Sequence, residues 1–200
     1  MKKQLFTIAF AVLSLALFAA QPIEVGEKAP SFSLKGVDGK TVSLSDYSNE
    51  KGVILIFTCN TCPVVVANED RIIALHNEFA AKGFPVVAIN SNDPGVSAGD
   101  SFDNMKVRAE EKSFPFPYLF DEQQAVLPTY GATRTPEVFL LKNNGDEFVV
   151  AYTGAIDDNA NNADDVEEKF LYNAINAVLA GNSPNPAVTR AVGCGIKVKK

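Results

Sequence analysis

The sequence has no tryptophan, a single histidine, three cysteines and, apart from the closing residues KVKK at 197–200, no cluster of basic charge. Each scarcity removes a class of function. With a net charge of −6, the chain repels nucleic acid and anionic lipid, so binding of DNA or RNA is not expected. A tetrahedral zinc site needs a full set of Cys and His ligands. Once Cys59 and Cys62 are counted together, only Cys194 and His76 remain, one in a terminal segment and one inside a helical pattern, so no metal is expected. Internal repeats and low-complexity tracts are also lacking. The 200 residues are 46% apolar and 21% charged, which suits one soluble domain and excludes a disordered chain or a multi-span membrane protein.

A long apolar run occurs once. Lys2 and Lys3 precede LFTIAFAVLSLALFAA, residues 5–20. A basic start, an apolar middle and a small-residue end predict a signal peptide over 1–20. The cleavage pattern is imperfect, so an uncleaved anchor is the alternative, and no cysteine follows to accept a lipid. The chain is therefore expected to be exported, to the periplasm or an equivalent compartment, where disulfides persist. Loss of the two lysines would move the net charge to −8.

Residues 21–182 carry the pattern of one α/β domain, and 183–200 that of a C-terminal tail with two prolines at its start and little periodicity. Phe32 and Leu34 alternate before Asp38-Gly39, and Val42 and Leu44 after it, which predicts a β-hairpin. Residues 53–57, VILIF, are apolar on both faces and read as a buried central strand. Pro63 opens a helix that runs to about residue 82, with Val65, Ile72, Leu75 and Phe79 at helical spacing and Gly83 closing it. PVVAIN, residues 85–90, is a second buried strand, so the segment is a parallel βαβ unit. A short helix over 102–112, a hairpin from 137–141 to 148–152 around Asn143-Asn144-Gly145, and a final helix over 164–180 complete the pattern. The expected architecture is a central, partly parallel sheet with helices on both faces.

Between the first strand and first helix stands FTCNTCP, residues 57–63. This places Cys59 and Cys62 at a helix N-terminus, where unpaired N–H groups and the macrodipole favour thiolate over thiol. CxxC beside a βαβ unit points to redox chemistry. A purely structural disulfide closing so short a loop would add little stability.

These residues carry a family resemblance. GKTVSLSDY, VILIF, FTCNTCP, VVAINSND, PYLFDE, YGATRTPEVFLL and YTGAIDD together resemble the thioredoxin fold. They resemble in particular its peroxiredoxin-like branch, related to alkyl hydroperoxide reductase and thiol-specific antioxidant proteins. The closing GCGIKVKK resembles tails of that branch. The resemblance implies that Thr135-Pro136 is a cis pair facing the cysteines, whereas the local sequence alone favours trans. It also implies that the backbone of Thr135 pairs with a bound substrate strand.

Which sulfur attacks stays open at this stage. Thioredoxin-like enzymes use the more N-terminal cysteine, which favours Cys59. Spacing from Phe57, the following Pro63 and the helix-capping place favour Cys62. On the second alignment Cys59 stands where peroxiredoxins hold a peroxide-binding threonine, and Arg134 is a weak candidate for their cation. Cys194 has three readings: it resolves an oxidised Cys62, pairs with another subunit, or is a free tail thiol. The tryptophan before the thioredoxin pair is replaced here by threonine, and the buried carboxylate of the preceding strand is absent. Glu69 and Asp70 are read as a solvated helix face and His76 as a surface histidine.

The resemblance and the CxxC together imply an exported thiol–disulfide oxidoreductase with no organic cofactor. Its substrate would be a disulfide-bearing protein, and an external redox partner would reset the pair. Three alternatives stand: a thiol peroxidase acting on peroxide, a Sco-like copper-binding chaperone, and a scaffold with an inert disulfide. The copper proteins use CxxxC and a distant downstream His, which this chain lacks.

Overall fold

The protein is described by a computed structural model over residues 22–200. The expected signal segment lies outside the described residues. In chain order the elements are β1 (Ser33–Gly36), β2 (Thr41–Ser43), β3 (Gly52–Thr58), α1 (Pro63–Phe79), β4 (Val86–Asn90), α2 (Phe102–Glu111) and β5 (Tyr118–Phe120). They continue with α3 (Leu127–Tyr130), β6 (Arg134–Thr135), β7 (Glu137–Asn143), β8 (Phe148–Gly154), α4 (Phe170–Leu179) and β9 (Cys194–Gly195).

Seven strands form one sheet in the order β2-β1-β5-β4-β3-β7-β8. The β3–β4 and β4–β5 pairs are parallel and the rest antiparallel, so the sheet is mixed, as expected. All seven residues of β3 are buried, which is what an apolar run in the sheet centre requires. Ile54 and Ile56 face one core layer with Ile72, Leu75 and Phe79 of α1, Met105 of α2, and Leu171 and Ile175 of α4. Val53, Leu55 and Phe57 face the other with Phe32, Leu44, Leu127 and Tyr130. Helices thus cover both faces unequally: three long ones on one side, and on the other the single turn α3 beside the N-terminal segment. Each fully buried aliphatic side chain contributes about 2 kcal/mol, so the two layers fix β3, and with it the loop that follows.

The N-terminal hairpin forms as predicted, with Leu34 opposite Val42 and Gly39 at φ +83° in the turn. Helix α1 passes into a 3-10 turn over 80–82 and stops at Gly83, whose φ is +90°. The last helix is shorter than its sequence suggests. Residues 163–165 form a 3-10 turn, and α4 starts only at Phe170. The reason lies in Asp158: its carboxylate accepts from Glu167 N–H at 3.1 Å and its N–H donates to the Glu168 carbonyl at 3.1 Å. Those bonds hold 166–169 extended where the acidic spacing looks helical. Among the described residues no helix is long and apolar enough to cross a membrane.

The tail is ordered against the domain. Thr189 N–H donates to the Thr153 carbonyl at 3.0 Å, which extends the β8 edge, and β9 then pairs antiparallel with β6.

Candidate active site

The site begins where β3 ends. Cys62 is the N-cap of α1 with an extended backbone (φ −76°, ψ 121°), and its carbonyl accepts the first helical bond from Val66 N–H at 3.0 Å. Pro63 fills N1, where no N–H is needed. The sulfur therefore sits over the positive end of a helix of 17 residues. Burial, the largest influence, pushes its acidity towards the neutral thiol. The Cys194 thiol and the N–H groups of Val65, Cys194 and Val64 outweigh that burial, and the Cys62 thiol titrates below its ordinary value.

Cys59 has the opposite environment. Burial raises its pKa, the Thr135 hydroxyl 3.2 Å from its sulfur lowers it only in part, and the negative charge of Asp100 raises it further. Both cysteines are buried, at 3% and 2% exposure for Cys59 and Cys62, and both are free thiols. The two sulfurs left equivalent by sequence thus have different surroundings: those of Cys62 favour the thiolate, and those of Cys59 the thiol.

Thr135 and Pro136 face the pair across a cis peptide bond, where the local sequence alone favours trans. The Thr135 side chain meets Cys59, and its carbonyl accepts from the Cys62 thiol at 3.3 Å. Ionisation of Cys62 gives up that last bond and keeps the N–H contacts, so one sulfur has a partner set for each protonation state. Cys194, from β9, packs on Cys59, Cys62 and Val65. The five residues singled out in the sequence thus meet in one place, although they come from three separate segments. Among the described residues, no cluster of three or more His, Cys, Asp or Glu side chains is arranged to hold a metal ion.

One functional residue escaped the sequence reading. Asp100 is fully buried and accepts from Asn60 N–H at 2.6 Å, Thr61 Oγ1 at 2.8 Å, Ser97 Oγ at 2.6 Å and Asn92 Nδ2 at 2.9 Å. Burial opposes its charge, but these donors prevail and hold its carboxyl below the usual carboxylate range. It pins both residues between the cysteines. Tyr118 adds a bond from its hydroxyl to Asn60 Oδ1 at 2.8 Å. Asp100 lies in the loop over 91–101, and nothing in its spacing marks it.

Three further expectations change. Glu69 is not on a solvated face: it is 2% exposed and receives a bidentate bond from Arg108, at 2.7 and 2.6 Å. His76 is half-buried, and its Nδ1 accepts from Val86 N–H at 3.2 Å, joining α1 to the start of β4. Arg134, the candidate cation, donates to the carbonyl of Gly193 at 2.9 Å, so its guanidinium grips the tail.

A thiol pair at a helix N-terminus, facing a cis proline on a mixed α/β sheet of the thioredoxin fold, defines an oxidoreductase. The chain belongs to the AhpC/TSA family, whose sequence profile matches residues 25–156. The thiol–disulfide oxidoreductase ResA of Geobacillus thermodenitrificans is 29% identical over 158 residues, covering 72% of this chain and 86% of that one. An uncharacterized conserved protein from Geobacillus kaustophilus has a crystal structure 36% identical, with a TM-score of 0.82, over 88% of this chain and 93% of that chain. A hypothetical protein from Sinorhizobium meliloti, 30% identical with a TM-score of 0.82, covers 90% and 97%. A peroxidoxin from Mycobacterium tuberculosis, 21% identical with a TM-score of 0.55, shares the fold.

Proposed function

We propose that the protein is an exported thiol–disulfide oxidoreductase in which Cys62 attacks a substrate disulfide and Cys59 resolves the product. The observation that carries this is the split environment of the pair: an acidified sulfur on the helix N-cap, and a protonated one behind it on Thr135. The Cys62 thiolate bonds to one substrate sulfur, and the other leaves as thiolate. Cys59 then attacks the Cys62 sulfur, the remaining substrate sulfur leaves, and the Cys59–Cys62 disulfide holds the two electrons' worth of oxidation. An external dithiol resets it. ResA relatives, likeness to an exposed lipoprotein thioredoxin of Streptococcus pneumoniae, and the basic-apolar segment over 1–20 support an extracytoplasmic place.

Peroxide chemistry is the second reading, favoured by the family and by the acid thiol next to Pro63. Against it, Cys59 stands where a peroxide-binding hydroxyl is needed, and Arg134 is engaged with Gly193. One experiment separates the two. Fully reduced protein is mixed in stopped flow with hydrogen peroxide and, separately, with oxidised glutathione, with free cysteine as reference. The proposal expects acceleration with the disulfide alone, lost in Cys62→Ser. Acceleration with peroxide alone would replace it with the peroxidase.

A further inference from the structure

We propose that β9 is the protein's own substrate strand: it occupies the edge beside Thr135 where an extended cysteine-bearing polypeptide would add, and Cys194 is the thiol with which Cys62 forms an internal disulfide. This rests on the exchange chemistry proposed above and names a partner of the same site.

Strand addition to an open edge is a general mode of peptide recognition, in which main-chain bonds give affinity and alternate side chains give specificity. Here the added strand comes from the same chain. Thr135 lies opposite Cys194, and Arg134 opposite Gly195. The alignment packs Cys194 against Cys59, Cys62 and Val65. Close approach depends on Gly193, where a Cβ would collide with the Thr135 carbonyl and meet Pro136 Cδ at 3.2 Å. Anchors lie on both sides of the cysteine. Arg134 holds the Gly193 carbonyl at 2.9 Å, Ile196 N–H donates to the Thr133 carbonyl at 3.1 Å, and Lys197 N–H donates to Asn92 Oδ1 at 2.7 Å. Gln124 clamps the end, donating to the Lys197 carbonyl at 2.9 Å and accepting from Lys199 N–H at 2.9 Å.

The seating is local, since β9 has two residues and Val192 and Val198 on either side are 48% and 56% exposed. With the strand in place Cys62 is buried, so a polypeptide disulfide reaches it only when the strand lifts. After that encounter the Cys62 sulfur is bonded to a substrate sulfur. On return of the strand, and ahead of the attack by Cys59, Cys194 gives its proton to water and its thiolate attacks the Cys62 sulfur; the substrate leaves as a thiolate that water protonates, and Cys62–Cys194 remains. Cys59 then attacks Cys62: the Cys62–Cys194 bond breaks, Cys59–Cys62 forms, and the proton given up by Cys59 goes to Cys194. This last step is an internal exchange without net oxidation. The tether keeps Cys194 at a high effective concentration throughout.

The electrostatics fit that order. The hydrogen bond to the Cys62 sulfur, followed by burial, pushes Cys194 up to about 11, so it stays a thiol while Cys62 is charged. A Cys62 already in a disulfide has no charge to exert that effect, so Cys194 then ionises more readily.

The test uses the full chain carrying Cys59→Ser, oxidised with glutathione disulfide, alkylated and mapped by non-reducing mass spectrometry. A Cys62–Cys194 bridge that forms at a rate independent of protein concentration is the expected result. Glutathione left on Cys62 with Cys194 open to alkylation overturns the inference and leaves the exchange reading intact. Wild-type protein reacting no faster than free cysteine overturns the exchange reading itself. Gly193→Ala is expected to slow bridge closure about tenfold, and to speed reaction with a cysteine-peptide disulfide by a similar factor. Gln124→Ala loosens the same strand away from the sulfurs and is expected to act in the same direction. Unchanged rates in whichever of these variants folds would also overturn the inference.

Discussion

The carboxylate of Asp100 holds the backbone N–H of Asn60 at 2.6 Å, and through it the whole loop between the two cysteines. A buried anion is thereby placed where it opposes ionisation of Cys59 while the helix favours that of Cys62. Burial is the larger influence on Cys59, and Asp100, remote from both thiols in the chain, adds to it.

Asp100→Asn tests that role. Its folded carboxyl is more acidic than its unfolded one, so its stabilisation is complete above the ordinary carboxylate value and disappears as pH falls through the depressed one. Urea unfolding at neutral pH should show a loss of roughly 2–3 kcal/mol, the scale of buried hydrogen bonds to a charged group. The variant should lose the part of the acid-limb slope that comes from Asp100, and its Cys59 should titrate lower. A variant as stable as the parent at neutral pH, with an unchanged acid limb, would count against the anchor.

Thiolate absorbance followed against pH should show one thiol with a midpoint below the ordinary value of about 8.5. That step should vanish in Cys62→Ser and persist in Cys59→Ser. The opposite pattern would make Cys59 the nucleophile.

Thr135→Val removes the hydroxyl beside the Cys59 sulfur and leaves the backbone carbonyl that faces Cys62. Cys59 should become harder to ionise, so closure of the Cys59–Cys62 disulfide should slow by about tenfold, consistent with the loss of about one hydrogen bond. The first attack should change less than about twofold. Equal slowing of both steps would assign Thr135 to general packing of the site.

Glu69→Gln separates stability from chemistry. The buried carboxylate pairs with an Arg108 that is 22% exposed, so breaking it should cost about 2–3 kcal/mol, less than a fully buried pair. Exchange rates measured well below the unfolding midpoint should stay within about twofold. A large loss of rate with unchanged stability would make Glu69 a proton acceptor for the pair.

Much of this protein is local and therefore readable. The run VILIF has no face for water, Pro63 suits only the first turn of a helix, and CxxC between them leaves the thiols at a helix start. Those features depend on neighbours a few residues apart. The hairpin about Asp38-Gly39 and the stop at Gly83 follow from backbone conformations that glycine adopts readily. The family resemblance supplied what periodicity did not: that Thr135-Pro136 is cis and faces the pair.

What sequence left open was long-range. The shortened α4 was misread because Asp158 takes the backbone of 167–168 into bonds that spacing cannot announce. Glu69 looked solvated because its partner, Arg108, sits on another helix. The sequence by itself determined that two thiols stand at the start of a helix on a central strand, because a strand, a proline and a helix face are written in adjacent residues. Only the tertiary structure decided how differently the two sulfurs are surrounded and what faces them. Those outcomes depend on how each sulfur is buried, on which donors reach it and on where a two-residue strand at the far end of the chain comes to rest, and all are set by packing between segments remote in sequence.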